Sequence, residues 1–255
     1  MKQFILYTLA TTCLLMSIAC THEQKCNLII EGRNIPVAAL ENAQGAEKVR
    51  AIINKGQKQI DSIKAPIIGT ASMTLTVNTP ESTLMNFAAD ALLTEARRHS
   101  SQKIDIAVTN KGGLRNDIHK GNITFGDIYN VFPFENTLTL LTLNGEQLRQ
   151  LFSEIAAEGG EAISGARLTI SPDGELISAT VDGKPINPSA NYRIATSDYL
   201  SQGNDGLHTL AKGSEKENLG VTIRDIMINH IAQLHSNGVS VSATTDGRIT
   251  ITENR

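Results

Sequence analysis

Apolar positions along this chain follow two rhythms, one returning every three or four residues and one alternating, and together they predict interleaved helices and strands. The clearest helix covers residues 82–98. There Leu84, Phe87, Ala88, Ala91, Leu92 and Ala96 share a stripe behind the start signals Thr79 and Ser82. Leu148, Leu151, Phe152 and Ile155 mark a helix over 145–157, residues 127–131 form a helical turn, and 221–234 reads as a last helix. Residues 41–63 also have helical spacing but carry polar groups on most faces, the character of a spacer. Strands are predicted at 26–37, 67–77, 104–109, 121–124 and 137–143. The stretch 163–194 is broken by Pro172-Asp-Gly174 and Asp182-Gly-Lys-Pro185 and reads as a β-meander, and 239–252 as a hairpin around Thr245-Asp-Gly247. Helices and strands mix without a strict βαβ rhythm, which favours an α/β domain with mixed sheets over a doubly wound one.

The first residues change the picture of compartment. Met1-Lys2 is a short positive region, Phe4 to Ile18 is mostly apolar, and small residues lead into Cys20, the layout of a cleaved secretory signal. Ser17-Ile-Ala-Cys20 resembles a bacterial lipobox, which makes Cys20 the expected lipidated residue and the cell envelope the expected location, with the chain held to a membrane through lipid. A plain signal peptide cut near Ala19 is the alternative. Of the 3 cysteines, Cys13 leaves with such a leader and Cys20 takes the lipid, so only Cys26 remains as a thiol. A hydrophobic core must then hold the domain, and 40% apolar composition allows one. The net charge of -3 becomes slightly more acidic once Lys2 is removed, which argues against a nucleic-acid polymer as partner. A small anion needs only a local site.

Three loops carry candidate chemistry: Asn110-Lys-Gly-Gly-Leu-Arg115, Phe132-Pro-Phe134-Glu-Asn136, and Ser197-Asp-Tyr199-Leu-Ser-Gln-Gly203-Asn-Asp205-Gly206. Gly112 and Gly113 follow a strand, where residues lacking a side chain let backbone N–H groups approach an anion; Arg115 offers a planar fork and Asn110 an amide. The same residues are equally those of a tight turn with a surface arginine. Phe125, Tyr129, Phe132 and Phe134 crowd into one short stretch, yet Phe134 lies beyond its helix, off any core stripe. Phe134 and Tyr199 are thus candidates for stacking a base, whereas Phe132 reads as core. Asp205 is a turn former, or a carboxylate that accepts ribose hydroxyls.

No nucleophile elbow or Walker loop is present in the sequence. Asn116-Asp-Ile-His119 looks like the opening metal motif of a metallophosphatase, but it falls directly after the glycine loop and no His-pair motif follows, so neither catalytic nor metal-binding residues are assigned.

Taken in order and spacing, the three loops resemble the C-terminal domain of 5′-nucleotidases and UDP-sugar hydrolases, together with Ile163-Ser-Gly165 and Tyr192-Arg-Ile-Ala-Thr196. The resemblance spans roughly residues 67–251. It implies a four-layer α/β/β/α sandwich with mixed sheets in which Asn110 and Arg115 face the phosphate, Phe134 and Tyr199 sandwich the base, and Asp205 holds the ribose. Tyr199 stands where the family usually has phenylalanine and Asn204 where glycine is usual. The family's phosphate-binding arginine just before the glutamate of the first helix is absent, since Val77-Asn-Thr-Pro80 precedes Glu81. In that family hydrolysis belongs to a separate N-terminal metallophosphatase domain with two metals.

The expected organisation is therefore a signal over 1–19, a lipidated strand-and-helix spacer over 20–65, and the 5′-nucleotidase C-terminal-like domain over 66–255. Two functions follow. One is the substrate-binding component of a split nucleotidase, taking a nucleoside, nucleotide or UDP-sugar, with no cofactor of its own and divalent metals only in a separately encoded metallophosphatase. The other is a lipid-anchored nucleoside- or nucleotide-binding protein without chemistry.

Overall fold

The computed structural model describes residues 46–252. The expected signal, Cys20 and the strand at 26–37 lie outside the described residues. The chain divides after Lys48 into two units, and apart from the first three residues of the opening helix the architecture below belongs to the second, Val49–Arg255.

A helix, α1 (Ala46–Lys64), comes first and buries none of its residues. Polar groups occupy most of its faces, and Val49, Ile52, Ile53, Ile60 and Ile63 form one exposed apolar stripe between them. Strand β1 (Ile67–Ala71) pairs antiparallel with β3 (Gly121–Thr124). Between them come α2 (Thr83–His99) and β2 (Ile106–Thr109). Ser82 caps α2, its hydroxyl accepting from the Met85 amide at 3.4 Å. Helix α3 (Phe125–Val131) opens with a Thr124/Asp127 capping box, and α4 (Gly145–Ala157) with an Asn144/Gln147 box, which is why both start where their stripes do. Strand β4 (Thr137–Asn144) links them.

The stretch expected as a meander divides between two sheets. Strands β5 (Ala162–Ser164), β9 (Asn191–Ser197) and β10 (Ser214–Thr222) join a five-stranded sheet of order β10-β4-β9-β2-β5, while β6 (Ala166–Ile170), β7 (Leu176–Val181) and β8 (Lys184–Pro185) form a second sheet with β11 (Ile249–Ile251). Only β6 to β8 meander. The switch occurs at Gly165, where φ is +85° and a Cβ would meet the Asp105 carbonyl oxygen at 2.1 Å. The C-terminal hairpin is likewise replaced: β11 pairs parallel with β6, and Val241 bridges to Ala71. Strand β10 (Ser214–Thr222), largely exposed, has no counterpart in the sequence reading, because an edge strand with charged side chains shows no apolar alternation.

Helices α2 and α5 (Ile223–Ser236) cover one face of the five-stranded sheet over a core that includes Leu92, Ala107, Leu138, Leu140 and Met227. Helix α4 and the second sheet cover the other face through Phe152, Ile106, Val108, Leu141, Ile170 and Ile194. This is the expected α/β sandwich of helices and mixed sheets. Being buried on both sides, β4 and β9 are nearly continuous in apolar and hydroxyl residues.

Candidate functional site

Strands β2 and β9 run parallel, and β4 runs antiparallel to β9. The C-terminal ends of β2 and β9 therefore lie at the same end of the sheet as the N-terminal end of β4, and all three candidate loops emerge there. The second and third are tied together at once. The Asp198 amide donates to the Thr137 carbonyl at 2.9 Å, and the Thr137 amide donates to the Asp198 carboxylate at 3.0 Å.

Asn110, Gly112, Arg115, Phe134, Asn136, Tyr199 and Asp205 line one cleft of about 390 Å³. Gly113 lines an adjoining recess with Asn110, Phe132, Phe134 and Asn136. Phe134 is 50% exposed and Tyr199 38%, whereas Phe132 is buried at 6%. Large aromatic side chains so open to solvent cannot owe their positions to the core.

The glycine loop is a single 3-10 turn over Lys111–Gly113. The Gly113 amide donates to the Asn110 carbonyl and the Leu114 amide to the Lys111 carbonyl, so these N–H groups are used within the turn instead of facing outward. Gly113 serves a closer purpose. A Cβ there would meet the Asn110 Oδ1 at 2.8 Å, so its absence lets the Asn110 side chain fold over the loop. Asn110 Nδ2 then donates to Asp205 Oδ2 at 2.5 Å, and Tyr199 Oη donates to Asp205 Oδ1 at 2.7 Å. Donation to a carboxylate holds the Tyr199 phenol above its ordinary pKa. Asp205 sits at φ +52°, in the left-handed region that aspartate tolerates better than most residues. One carboxylate thus joins all three predicted chemistries, and Tyr199 in place of phenylalanine supplies a bond that phenylalanine lacks. The Arg115 guanidinium donates to the Gly112 carbonyl at 3.2 Å, bent back over its own loop.

Several residues that place the site were missed in the sequence. Glu161, 4% exposed, accepts from the Lys111 amide at 2.5 Å, and its other oxygen pairs with Lys111 Nζ at 3.1 Å. Burial pushes its carboxyl above the ordinary glutamate value, against the pull of Lys111. Lys111 Nζ also donates to the carbonyls of Glu158 and Gly160, so this cation is committed to the scaffold. Arg224, 5% exposed, donates to the carbonyls of Phe132 and Pro133 at 3.3 and 3.2 Å, pairs with Glu135, and lies 4.0 Å over the Tyr129 ring. A lysine after an asparagine and an arginine inside a helix carry no local signal of such roles. Asn136 was legible as part of its motif, without a role.

Asp117 and His119 are exposed and border a different hollow, with Asn116, Asn122, Asp127 and Asn130. Among the described residues no group of three or more histidine, cysteine, aspartate or glutamate side chains is placed to hold a metal ion. The Glu81 carboxylate accepts from Asn86 and the Asp246 amide, so the glutamate that follows the family's arginine position is bound into the C-terminal segment.

The family described as 5′-nucleotidase, C-terminal domain, matches residues 60–213. The trifunctional nucleotide phosphoesterase protein YfkN of Bacillus subtilis is 28% identical over 229 residues, covering 82% of this chain and 15% of that relative. A probable 5′-nucleotidase of Treponema pallidum is 27% identical over 67% of this chain and 34% of its own length. Among solved structures, the 5′-nucleotidase precursor of Thermus thermophilus superposes with a TM-score of 0.69 at 26% identity, over 82% of this chain and 44% of that one. The chain thus spans less than half the length of each of these proteins. It belongs to the 5′-nucleotidase C-terminal domain family.

Proposed function

We propose that the cleft recognises a nucleoside or nucleotide, free or as a UDP-sugar, and that this chain is the substrate-binding component of a split 5′-nucleotidase or UDP-sugar hydrolase. The observation that carries this reading is the convergence on one cleft of two exposed aromatic side chains, a carboxylate and a guanidinium, drawn from three loops. Phe134 and Tyr199 stack on the base, an interaction of about 1–3 kcal/mol per base that tolerates base identity. Asp205 accepts ribose hydroxyls through lone pairs that Asn110 and Tyr199 leave free, each carboxylate oxygen having two. Arg115 swings off the Gly112 carbonyl to meet phosphate, and Asn110 supports it. These residues bind and orient. Hydrolysis requires divalent metals held by a metallophosphatase acting in trans. The chain reaches that partner from the cell envelope through a lipid on Cys20, a reading supported by Ser17-Ile-Ala-Cys20 and checked by fatty-acid labelling that Cys20→Ala abolishes.

The test pairs binding with turnover. The purified chain should bind adenosine in a calorimetric titration and release no phosphate from nucleoside monophosphates or UDP-sugars with Mg, Mn, Zn or Co, and phosphate release should begin once its co-purifying metallophosphatase is added. Turnover by the chain alone that disappears in Asp117→Ala/His119→Ala overturns the division of labour. Binding with no metallophosphatase in the native complex turns the reading into capture without chemistry.

A further inference from the structure

Helix α1 presents an apolar face that nothing in the described structure covers. Val49, Ile52, Ile53, Ile60 and Ile63 are each between 47% and 72% exposed, on a helix with no buried residue. At 3.6 residues per turn these five and Gly56 fall within an arc of about 100°. The placement of charge around that arc is not random. Arg50 and Lys64 border one side of it with Asp61 beyond Arg50, Lys48 and Lys55 border the other, and Lys58 with the acidic Glu47 lies towards the opposite face. The helix carries five basic residues against Glu47 and Asp61, in a chain whose net charge is -3.

We propose that α1 lies in the headgroup interface of an anionic phospholipid bilayer, with its aliphatic arc in the acyl region and Lys48, Arg50, Lys55 and Lys64 reaching up to the lipid phosphates. Long cationic side chains at the rim of an apolar face suit this arrangement, since their stems stay in the apolar layer while their charges meet the headgroups. A second copy fits the same face poorly. Val49, Ile53, Ile60 and Ile63 follow heptad spacing, but Gly56 leaves the centre of that seam without a side chain, and pairing like faces brings the two basic rims together. No helix among the described residues is long and apolar enough to cross a membrane, and α1 needs only to lie on one. This inference stands apart from the cleft and from any lipid on Cys20.

The sequence contains no tryptophan, which permits a clean probe. In the full chain, Ile60→Trp places an indole in the arc and Asn54→Trp places one on the polar face; neither position is buried, so the fold is not at stake. With vesicles of phosphatidylcholine and phosphatidylglycerol, the Ile60→Trp emission should move to shorter wavelength and be quenched by brominated acyl chains. The Asn54→Trp emission should stay that of a wet indole. Adding Lys55→Gln and Lys64→Gln should weaken the Ile60→Trp response by roughly 30-fold, at about 1 kcal/mol for each cation. An acyl anchor elsewhere brings both probes to the vesicle and cannot produce that difference. Equal insertion into pure phosphatidylcholine, or none into either vesicle, overturns the proposal. So does a blue-shifted Ile60→Trp without lipid, which assigns the face to a second copy if it grows with protein concentration and to the chain's own preceding residues if it does not.

Discussion

A buried carboxylate stands behind the glycine loop, and a buried guanidinium stands behind the aromatic loop. Glu161 takes the amide and the ammonium of Lys111, so the 3-10 turn is gripped at its first residue. Arg224 takes the carbonyls of Phe132 and Pro133, so the second loop is gripped just before Phe134. Each anchor binds main chain and leaves the recognising side chains, Arg115 and Phe134, unburied. The comparison teaches that the cleft's geometry rests on two opposite charges hidden from the ligand, one donating hydrogen bonds and the other accepting them.

The anchors should differ in cost. Glu161→Ala strands the Lys111 amide and takes away the carboxylate partner of its ammonium, and about 3 kcal/mol of stability should be lost in chemical denaturation. Arg224→Ala should cost about 2 kcal/mol, because Pro133 and Glu135 are exposed and water replaces part of what is removed. Both should also weaken adenosine binding. If Arg224→Ala lowers stability yet leaves adenosine affinity unchanged, the aromatic loop is not placed by that residue.

The recognising residues should behave in the opposite way. Phe134→Ala and Tyr199→Ala should each weaken adenosine binding by about 1–3 kcal/mol with little change in melting temperature. Loss of about 3–5 kcal/mol of fold stability instead would assign them to the core.

A smaller effect concerns phosphate. Arg115 is the cleft's one guanidinium among the described residues, Lys111 is committed to the scaffold, and no arginine precedes Glu81. Adenosine and its 5′-monophosphate should therefore bind the isolated chain within about tenfold of each other, a gap under roughly 1.4 kcal/mol. A hundredfold preference for the monophosphate that Arg115→Ala abolishes would show that the glycine loop completes an anion site unaided.

The smallest effect is on pH dependence. Burial raises the folded-state pKa of Glu161 above its unfolded value, so its protonated form favours folding, and that contribution is lost as pH rises through and above the ordinary glutamate range. Glu161→Gln does not titrate. Relative to wild type, the Gln variant should therefore gain stability as pH rises across that window, measured as the difference in melting temperature. A difference independent of pH would place the Glu161 proton equilibrium at its unperturbed position.

Helices were legible where a stripe and a cap coincide in a few residues. The expected helix at 145–157 matches Gly145–Ala157, and the one at 82–98 is displaced by a single residue, since Ser82 proves to be the cap. Phe132 was separable from Phe134 because one falls at the end of a helix and the other beyond it. Membership of the family was legible too, since its motifs are local strings. The charged edge strand β10, the parallel β11, the change of sheet at Gly165 and the apolar arc of α1 were not anticipated.

The sequence by itself determined which segments coil, which extend, and which side chains at the loops could bind a nucleotide, because periodicity, capping and turn chemistry act over a few residues. Tertiary structure alone decided that β2 and β9 lie parallel beside an antiparallel β4, that three loops far apart in the chain open onto one cleft, and that Glu161 and Arg224 stand behind them. Those choices depend on which buried faces cover one another and which buried charges find partners. They are settled by contacts between residues distant in sequence, and no local pattern records them.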